Sequence, residues 1–204
     1  MACRIGINGF GRIGRMVLRR SVTLPEVEVV AVNDLADLGD LAYLLKYDSV
    51  HRGFPGEVHT EDQTIIVNGK PVQFSAETKP ADIPWEQVGV DVVIEATGAL
   101  RSPQDAAQHL RDSVRKVLIS APADGVDVTL VPGVNEAMYD RARHHVISMA
   151  SCTTNSLAPV AKASRNGLVL CTYSSPRCMP IPRVNRFSTS PSANGGGVGR
   201  ERCR

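Results

Sequence analysis

Long apolar runs are absent from this chain of 204 residues. No stretch approaches the ~20 apolar residues that a membrane-spanning helix needs, and the first residues lack the apolar region of a signal peptide. We therefore expect a cytoplasmic protein with no membrane partner. The five cysteines are odd in number and form no C-x-x-C pair, so we predict neither a disulfide framework nor a zinc site. His144 and His145 are adjacent instead of being at ligand spacing, and we predict no metal site.

Acidic residues are scarce at the end of the chain. Residues 163–204 contain seven arginines and one glutamate, although the whole chain has a net charge of only +2. Scattered Ser, Pro and Gly give this part neither helical nor strand periodicity, so we expect residues 166–204 to be disordered. Basic tails are one sign of nucleic-acid binding, but the aromatic side chains here are limited to Tyr173 and Phe187. We therefore expect no nucleic-acid partner.

Strands and helices alternate in the rest of the chain, which is long and apolar enough to bury a full domain core. The patterns predict strands at 2–8, 27–32, 91–95, 116–120 and 146–149, a hairpin at 64–75, and helices at 15–21, 37–46, 102–111 and 135–139. This order predicts an α/β fold with a doubly wound, mostly parallel sheet, as in Rossmann dinucleotide-binding domains. We assign residues 1–150 to that domain and residues 151–165 to the start of a second, catalytic domain that is otherwise essentially missing.

A glycine-rich turn joins the first predicted strand to the first predicted helix. In Gly9-Phe10-Gly11-Arg12-Ile13-Gly14, the first glycine permits a tight turn, the second lets a pyrophosphate approach the backbone, and the third lets helix and strand pack closely. The second strand ends in Asn33-Asp34, which places an acid about 20 residues further on, where NAD has its ribose hydroxyls. An acid there repels a 2′-phosphate, so we predict that NAD is the cofactor.

Cys152 lies in the segment Ala150–Asn155, where an apolar strand is followed by a helix. The unpaired N–H groups and the partial positive charge of a helix N-terminus favour a thiolate, so Cys152 is a candidate nucleophile. A single cysteine is, however, often only a small buried apolar residue. A catalytic role therefore depends on the cofactor site and on a partner base.

Together these motifs make residues 4–162 similar to the glyceraldehyde-3-phosphate dehydrogenase family. The matching segments are 7–15, 33–34, 44–51, 95–98, 119–123, 133–135 and 151–155. The resemblance implies Cys152 as nucleophile, Ser151 and Thr153 as phosphate-binding residues, and no metal. The implied cofactor-binding residues are Asn8, Gly9, Phe10, Gly11, Arg12, Ile13, Gly14, Asp34, Lys79, Thr97, Gly98 and Ser120.

The family's reaction is the NAD-dependent, phosphorylating oxidation of an aldehyde through a cysteine thioester, in glycolysis and gluconeogenesis. The implied partners are glyceraldehyde 3-phosphate, inorganic phosphate and, in the family, three further subunits of a homotetramer. Two alternatives stay open: erythrose-4-phosphate dehydrogenase, and a non-catalytic fragment that binds NAD or carries a redox-active thiol. The family's base is the histidine of a T-T-V-H-A-Y-T segment, which this chain lacks, so we expect little or no turnover and a doubtful tetramer.

A shift of reading frame accounts for the missing segment. When residues 175–182 are read one base out of frame, their codons permit T-T-V-H-A-Y-T in full, with the histidine at position 179. We therefore hypothesise a single-base deletion, or an equivalent sequencing error, between the codons for Lys162 and Gly167. The competing explanation is a genuine short form with its own tail.

Overall fold

The structure, a computed structural model, describes residues 2–111 and 113–167. The tail predicted to be disordered thus lies outside the described residues, except for its first two positions. These two positions belong to the last helix, which continues to Gly167.

The described residues contain eleven strands and four α-helices. The strands are β1 (Cys3–Asn8), β2 (Val27–Asn33), β3 (Tyr47–Asp48), β4 (Arg52–Gly53), β5 (Val58–Glu61), β6 (Thr64–Val67), β7 (Lys70–Ser75), β8 (Val92–Glu95), β9 (Lys116–Ile119), β10 (Val128–Thr129) and β11 (Val146–Ser148). The helices are α1 (Arg12–Ser21), α2 (Leu38–Lys46), α3 (Pro103–Ala107) and α4 (Cys152–Gly167).

Nine of these strands form one sheet in the order β10-β11-β9-β8-β1-β2-β7-β6-β5. Neighbouring strands from β10 to β7 are parallel, and the last two pairs at the other edge, β7 with β6 and β6 with β5, are antiparallel. The chain moves from β1 to β2 on one side and later returns to β8 on the other side of β1. The strand order therefore reverses between β1 and β8, and ligands of open α/β sheets bind beside such a reversal.

Apolar side chains cover both faces of the sheet, as the doubly wound pattern predicts. On one face Ile7 and Val32 pack against Leu18 of α1 and Leu45 of α2. On the other face Val93 is among the side chains packed with Trp85, α3 and the strands that follow. The predicted fold class, a doubly wound and mostly parallel sheet, is confirmed.

Some predicted elements differ in extent. The helix predicted at 102–111 ends at Ala107, because the chain then tightens into turns that bury the ring of His109. The hairpin at 64–75 gains a third strand, β5, whose exposed polar side chains hide its strand character. Only a short 3₁₀ turn at Glu136–Met138 replaces the helix predicted at 135–139.

Among residues 2–111 and 113–167, no helix has both the length and the apolar character needed to cross a membrane.

Candidate functional site

The loops after β1 and β8 meet at the carboxyl edge of the sheet, where the strand order reverses. Gly9, directly after β1, has a φ of +89°, and a Cβ added to it would lie 2.6 Å from the backbone nitrogen of Thr97. No other residue fits so close to the neighbouring loop in that backbone conformation. The first glycine of the turn thus lets the two loops come together.

The other two glycines of the turn have different surroundings. A Cβ on Gly14 would lie 2.3 Å from the carbonyl oxygen of Gly9, so this glycine lets α1 pack against the end of β1. A Cβ on Gly11 would meet nothing within 4 Å. Gly11 precedes the first residue of α1, so free space lies beside the unpaired N–H groups of that helix. This is the arrangement that an anion such as a pyrophosphate requires.

Asp34 connects the end of β2 to the glycine turn. Its Oδ2 accepts a hydrogen bond of 2.6 Å from the backbone N–H of Phe10, and its Oδ1 accepts one of 2.9 Å from the N–H of Ala36. The carboxylate is therefore held at the edge of the sheet by two backbone donors. Each of its oxygens has a lone pair left for a ribose hydroxyl.

A cleft of about 430 Å³ opens between these loops. It is lined by Asn8, Gly9, Gly11, Asn33, Asp34, Leu35, Glu77, Thr78, Ala96, Thr97, Ala99 and Leu100. A second cavity of about 300 Å³ lies at the opposite edge of the sheet, near the start of β2, and holds none of the predicted site residues. The cleft at the carboxyl edge is therefore the candidate cofactor site.

Five of the predicted cofactor residues line this cleft directly: Asn8, Gly9, Gly11, Asp34 and Thr97. The other seven do not line it; these are Phe10, Arg12, Ile13, Gly14, Lys79, Gly98 and Ser120. The side chain of Phe10 is fully buried in the core, while Ile13 is half exposed on the first turn of α1.

Three predicted residues lie just outside the lining. Lys79 is exposed, one position beyond the lining residue Thr78. Gly98 follows Thr97 with a φ of +73°. Ser120 follows β9, with its N–H bonded to the carbonyl oxygen of Glu95 at 2.9 Å.

Beneath the cleft lies a buried polar cluster, of which only Asn8 belongs to the site predicted from the sequence. Asn8 Nδ2 donates to Glu95 Oε2 at 2.6 Å, and Asn33 Nδ2 donates to Asn8 Oδ1 at 2.9 Å. His109 Nε2 lies 3.3 Å from the same oxygen of Glu95. The available sequence signal was an acidic residue at the end of the apolar strand β8, because an acid that a buried strand carries inward needs partners.

Cys152 is the first residue of α4 and is exposed to solvent. Ser151 caps the helix, since its hydroxyl accepts a hydrogen bond of 2.9 Å from the N–H of Thr154. The side chain of Asn155 donates to the carbonyl oxygens of Met149 and Ser151 at 2.7 and 3.0 Å. The helix start is therefore fixed to the end of β11, and the sulfur emerges at the same edge of the sheet as the cleft.

The residue before this cap has an uncommon backbone conformation. Ala150 is buried and has a φ of +59°, in the left-handed region that non-glycine residues seldom adopt. The chain thus reverses sharply between β11 and α4. Because of this reversal, the helix that begins with Cys152 follows β11 after only a few residues.

Partner bases for Cys152 are not found among the side chains that the structure describes, which are those of residues 2–111 and 113–164. The one hydrogen-bonding neighbour of its sulfur there is the hydroxyl of Thr153, at 4.0 Å. Four histidine side chains contact other groups: His59 with Glu61, His109 with Glu95, His144 with the N–H of Asp140, and His145 with the carbonyl of Arg115. The same residues contain no cluster of metal-ligating side chains.

Comparison with known proteins identifies this arrangement. Residues 3–103 match the family described as glyceraldehyde 3-phosphate dehydrogenase, NAD binding domain. Over its N-terminal four fifths, the chain belongs to the glyceraldehyde-3-phosphate dehydrogenase family. The family resemblance of the motifs is thereby confirmed, and the cofactor that the family's description names is the predicted one.

Several curated glyceraldehyde-3-phosphate dehydrogenases are similar to the chain. The enzyme of Geobacillus stearothermophilus is 54% identical over 162 residues, which are 79% of this chain and 48% of the relative. Glyceraldehyde-3-phosphate dehydrogenase 1 of Bacillus subtilis is 56% identical over 79% of this chain and 48% of its own length. The enzyme of Thermotoga maritima is 51% identical over 78% of this chain and 48% of its own length. The chain therefore spans about half the length of the curated relatives it matches.

Proposed function

We propose that these residues form the NAD-binding half of a phosphorylating glyceraldehyde-3-phosphate dehydrogenase and that the chain binds NAD in the cleft. The observation that carries the proposal is the open space beside Gly11 at the start of α1, next to the point where the strand order reverses. In this proposal the N–H groups of Arg12 and Ile13 bind the pyrophosphate. Asp34 binds the adenosine ribose, and Lys79 lies near the adenine.

The nicotinamide half of the cofactor lies, in this proposal, towards Thr97, Gly98 and Ser120. These residues follow β8 and β9, the two strands between β1 and β11 in the sheet. The cofactor would therefore extend along the carboxyl edge from Asp34 towards Cys152. The proposed site thus joins the glycine turn to the candidate nucleophile.

The proposed reaction uses Cys152 as a covalent catalyst. Its sulfur adds to the aldehyde carbon of glyceraldehyde 3-phosphate and forms a hemithioacetal, while the hydroxyls of Ser151 and Thr153 bind phosphate oxygens. NAD, when bound, would supply the hydride acceptor for the oxidation of the hemithioacetal to a thioester, and the hydroxyl proton of the hemithioacetal would pass to a base. Attack of inorganic phosphate on the thioester carbon then gives an acyl phosphate and releases the sulfur as a thiolate.

A chain of these 204 residues should turn over little or no substrate. The hemithioacetal must lose a proton, and the described part of the chain places no base beside Cys152. We propose that the segment with the missing histidine was lost through a frameshift between the codons for Lys162 and Gly167. The matched share of 79%, which corresponds to the N-terminal four fifths of the chain, supports this position.

The place and assembly of the protein form part of the same proposal. We place it in the cytoplasm. We expect the frame-restored protein to form a homotetramer, whereas the tetramer is doubtful for the 204-residue chain.

The test compares this chain with a frame-restored version. Calorimetric titration with NAD⁺ should show binding to both proteins, and NADH formation from glyceraldehyde 3-phosphate and phosphate should appear only with the restored one. Turnover of erythrose 4-phosphate by the restored protein, at equal or higher efficiency, would favour the alternative substrate. Sequencing of the messenger across codons 160–170, with the intact mass of the protein, distinguishes a frameshift from a genuine short form.

A second candidate function is a non-catalytic fragment that binds NAD and carries a redox-active thiol. The exposure of Cys152 without a base favours it. Alkylation of Cys152 at neutral pH, faster than that of a small-molecule thiol, would support this function. Reactivity equal to that of the small thiol, together with no NAD⁺ binding, would argue against it.

A further inference from the structure

Glu95 is the centre of a polar network that lies beneath the cleft. Its side chain is 1% exposed, and it is the last residue of β8. The network continues on one side through Asn8 and Asn33, and on the other side through His109. Such a burial of an acid is tolerated only where hydrogen-bond donors surround it.

Four donors reach the carboxylate of Glu95. Oε1 accepts from the backbone N–H of Thr97 at 2.9 Å and also from the hydroxyl of Thr97. Oε2 accepts from Asn8 Nδ2 at 2.6 Å and faces His109 Nε2 at 3.3 Å. Each oxygen of the carboxyl group is therefore within hydrogen-bond distance of two donor groups.

The direction of the hydrogen bond from His109 follows from Trp85. The indole N–H of Trp85 donates to His109 Nδ1 at 3.1 Å, and an indole nitrogen can only donate. The proton of the neutral imidazole therefore lies on Nε2 and points at Glu95. All three side chains are essentially fully buried, so no water competes for these positions.

The two cleft residues that Glu95 holds belong to different strands. Asn8 ends β1, and Thr97 lies in the loop after β8, so one carboxylate joins the two sides of the reversal point. Both residues line the cleft. Gly9, the neighbour of Asn8, also lies directly against Thr97, since a Cβ added to Gly9 would be 2.6 Å from the Thr97 nitrogen.

We propose that Glu95 is a positioning residue for the cofactor, because it sets the position of Thr97 relative to Asn8 and so shapes the nicotinamide end of the cleft. This role rests on the proposed NAD binding. Asp34, at the adenosine end, is held by two backbone donors of its own and makes no direct hydrogen bond to Glu95. Loss of the carboxylate should therefore weaken the binding of the nicotinamide half more than that of the adenosine half.

The test uses the full 204-residue chain and its Glu95→Gln variant. The amide nitrogen of the glutamine would face donors on Asn8 and His109, or on Thr97, so at least one hydrogen bond is replaced by a repulsion. We expect the dissociation constant for NAD⁺, measured by calorimetry, to rise about tenfold or more. The dissociation constant for ADP-ribose, which lacks nicotinamide, should change less than about threefold. The fluorescence of Trp85, the only tryptophan, should also change, because its partner His109 loses an acceptor.

Two further variants separate positioning from general destabilisation. Val72→Ala removes two methyl groups from a buried residue of β7 outside the cleft, so it should lower stability with an unchanged NAD⁺ dissociation constant. Glu95→Asp keeps a carboxyl group but shortens the side chain by one methylene group, which moves the carboxyl oxygens away from Asn8 and Thr97. This variant should give an intermediate loss of NAD⁺ affinity. If the glutamine variant does not fold, the aspartate variant alone tests the proposal.

Several results would overturn the proposal. These are unchanged NAD⁺ affinity in both Glu95 variants, an equal loss for NAD⁺ and ADP-ribose, or the same loss in Val72→Ala. Absence of NAD⁺ binding by the unmodified chain would instead refute the proposed function on which this role rests.

Discussion

Alanine substitutions at Gly11 and Gly14 should affect different properties, ligand binding and stability, although the two residues are only three positions apart. Gly11→Ala places a methyl group in open space, with no protein atom within 4 Å. Gly14→Ala places it 2.3 Å from the carbonyl oxygen of Gly9 and 3.0 Å from a methyl group of Ile7. The first change should therefore affect the ligand, and the second should affect the fold.

The expected sizes follow from these surroundings. For Gly14→Ala the overpacking costs about 3 kcal/mol, and the better helix propensity of alanine returns about 1 kcal/mol, so the net loss of unfolding free energy is about 2 kcal/mol. For Gly11→Ala the loss is smaller, about 0.5 kcal/mol, because the extended backbone at this N-cap leaves room for a Cβ although alanine is a poorer N-cap residue than glycine. Its Cβ would, however, occupy the space that a pyrophosphate needs, which should weaken NAD⁺ binding by roughly tenfold or more, about 1.4 kcal/mol.

Urea unfolding and NAD⁺ titration of the same two variants provide the measurements. Gly11→Ala should unfold at nearly the urea concentration of the unmodified chain and yet bind NAD⁺ weakly. A Gly11→Ala protein that binds NAD⁺ like the unmodified chain would refute the reasoning, because the open space beside α1 would then not hold the cofactor. A fully stable Gly14→Ala protein would show that the helix is not closely packed on the turn.

Three further predictions concern β11 and the start of α4. The backbone N–H of Val146, with that of His145, lowers the pKa of Asp127, so Asp127→Asn should cost about 1 kcal/mol at neutral pH. Because the pKa is lower in the folded state, this contribution is present above the unfolded pKa and disappears as pH falls through the folded one; urea unfolding of both proteins at pH 7 and pH 3 should show the difference shrinking, and a constant difference would contradict it. Ala150→Gly should raise the unfolding free energy by about 1 kcal/mol, since glycine adopts a positive φ without strain, and an unchanged urea midpoint would argue against strain there. Asn155→Ala should lower it by about 1–2 kcal/mol and change the rate of Cys152 alkylation, because the side chain no longer fixes the helix start; an unchanged rate would show that Asn155 does not position the sulfur.

The sequence alone was sufficient for the parts of the site that depend on local chemistry. The glycine turn, the acid after β2 and the capped cysteine helix each involve residues close together in the chain. Their backbone requirements are therefore visible as residue types at fixed spacing. The family comparison confirms the resemblance that these motifs carry, whereas the roles of the individual residues stay predictions.

Element boundaries were less accessible from the sequence. The helix predicted at 102–111 ends early because the ring of His109 turns into the core, where it forms hydrogen bonds with Glu95 and Trp85. No local sequence pattern shows these contacts. Strand β5 was missed because three of its four side chains are exposed and polar, and it pairs at the antiparallel edge of the sheet.

The amino-acid sequence by itself determined the fold class, the dinucleotide turn and the candidate nucleophile, because periodicity and turn chemistry act over a few residues. Only the tertiary structure decided what lies beneath the cleft. Asn8 and Glu95 are 87 positions apart in the chain, and they pair because β1 and β8 are neighbours in the sheet. A buried polar group is satisfied by whatever the topology brings beside it, and that neighbour exists only once the strands have assembled.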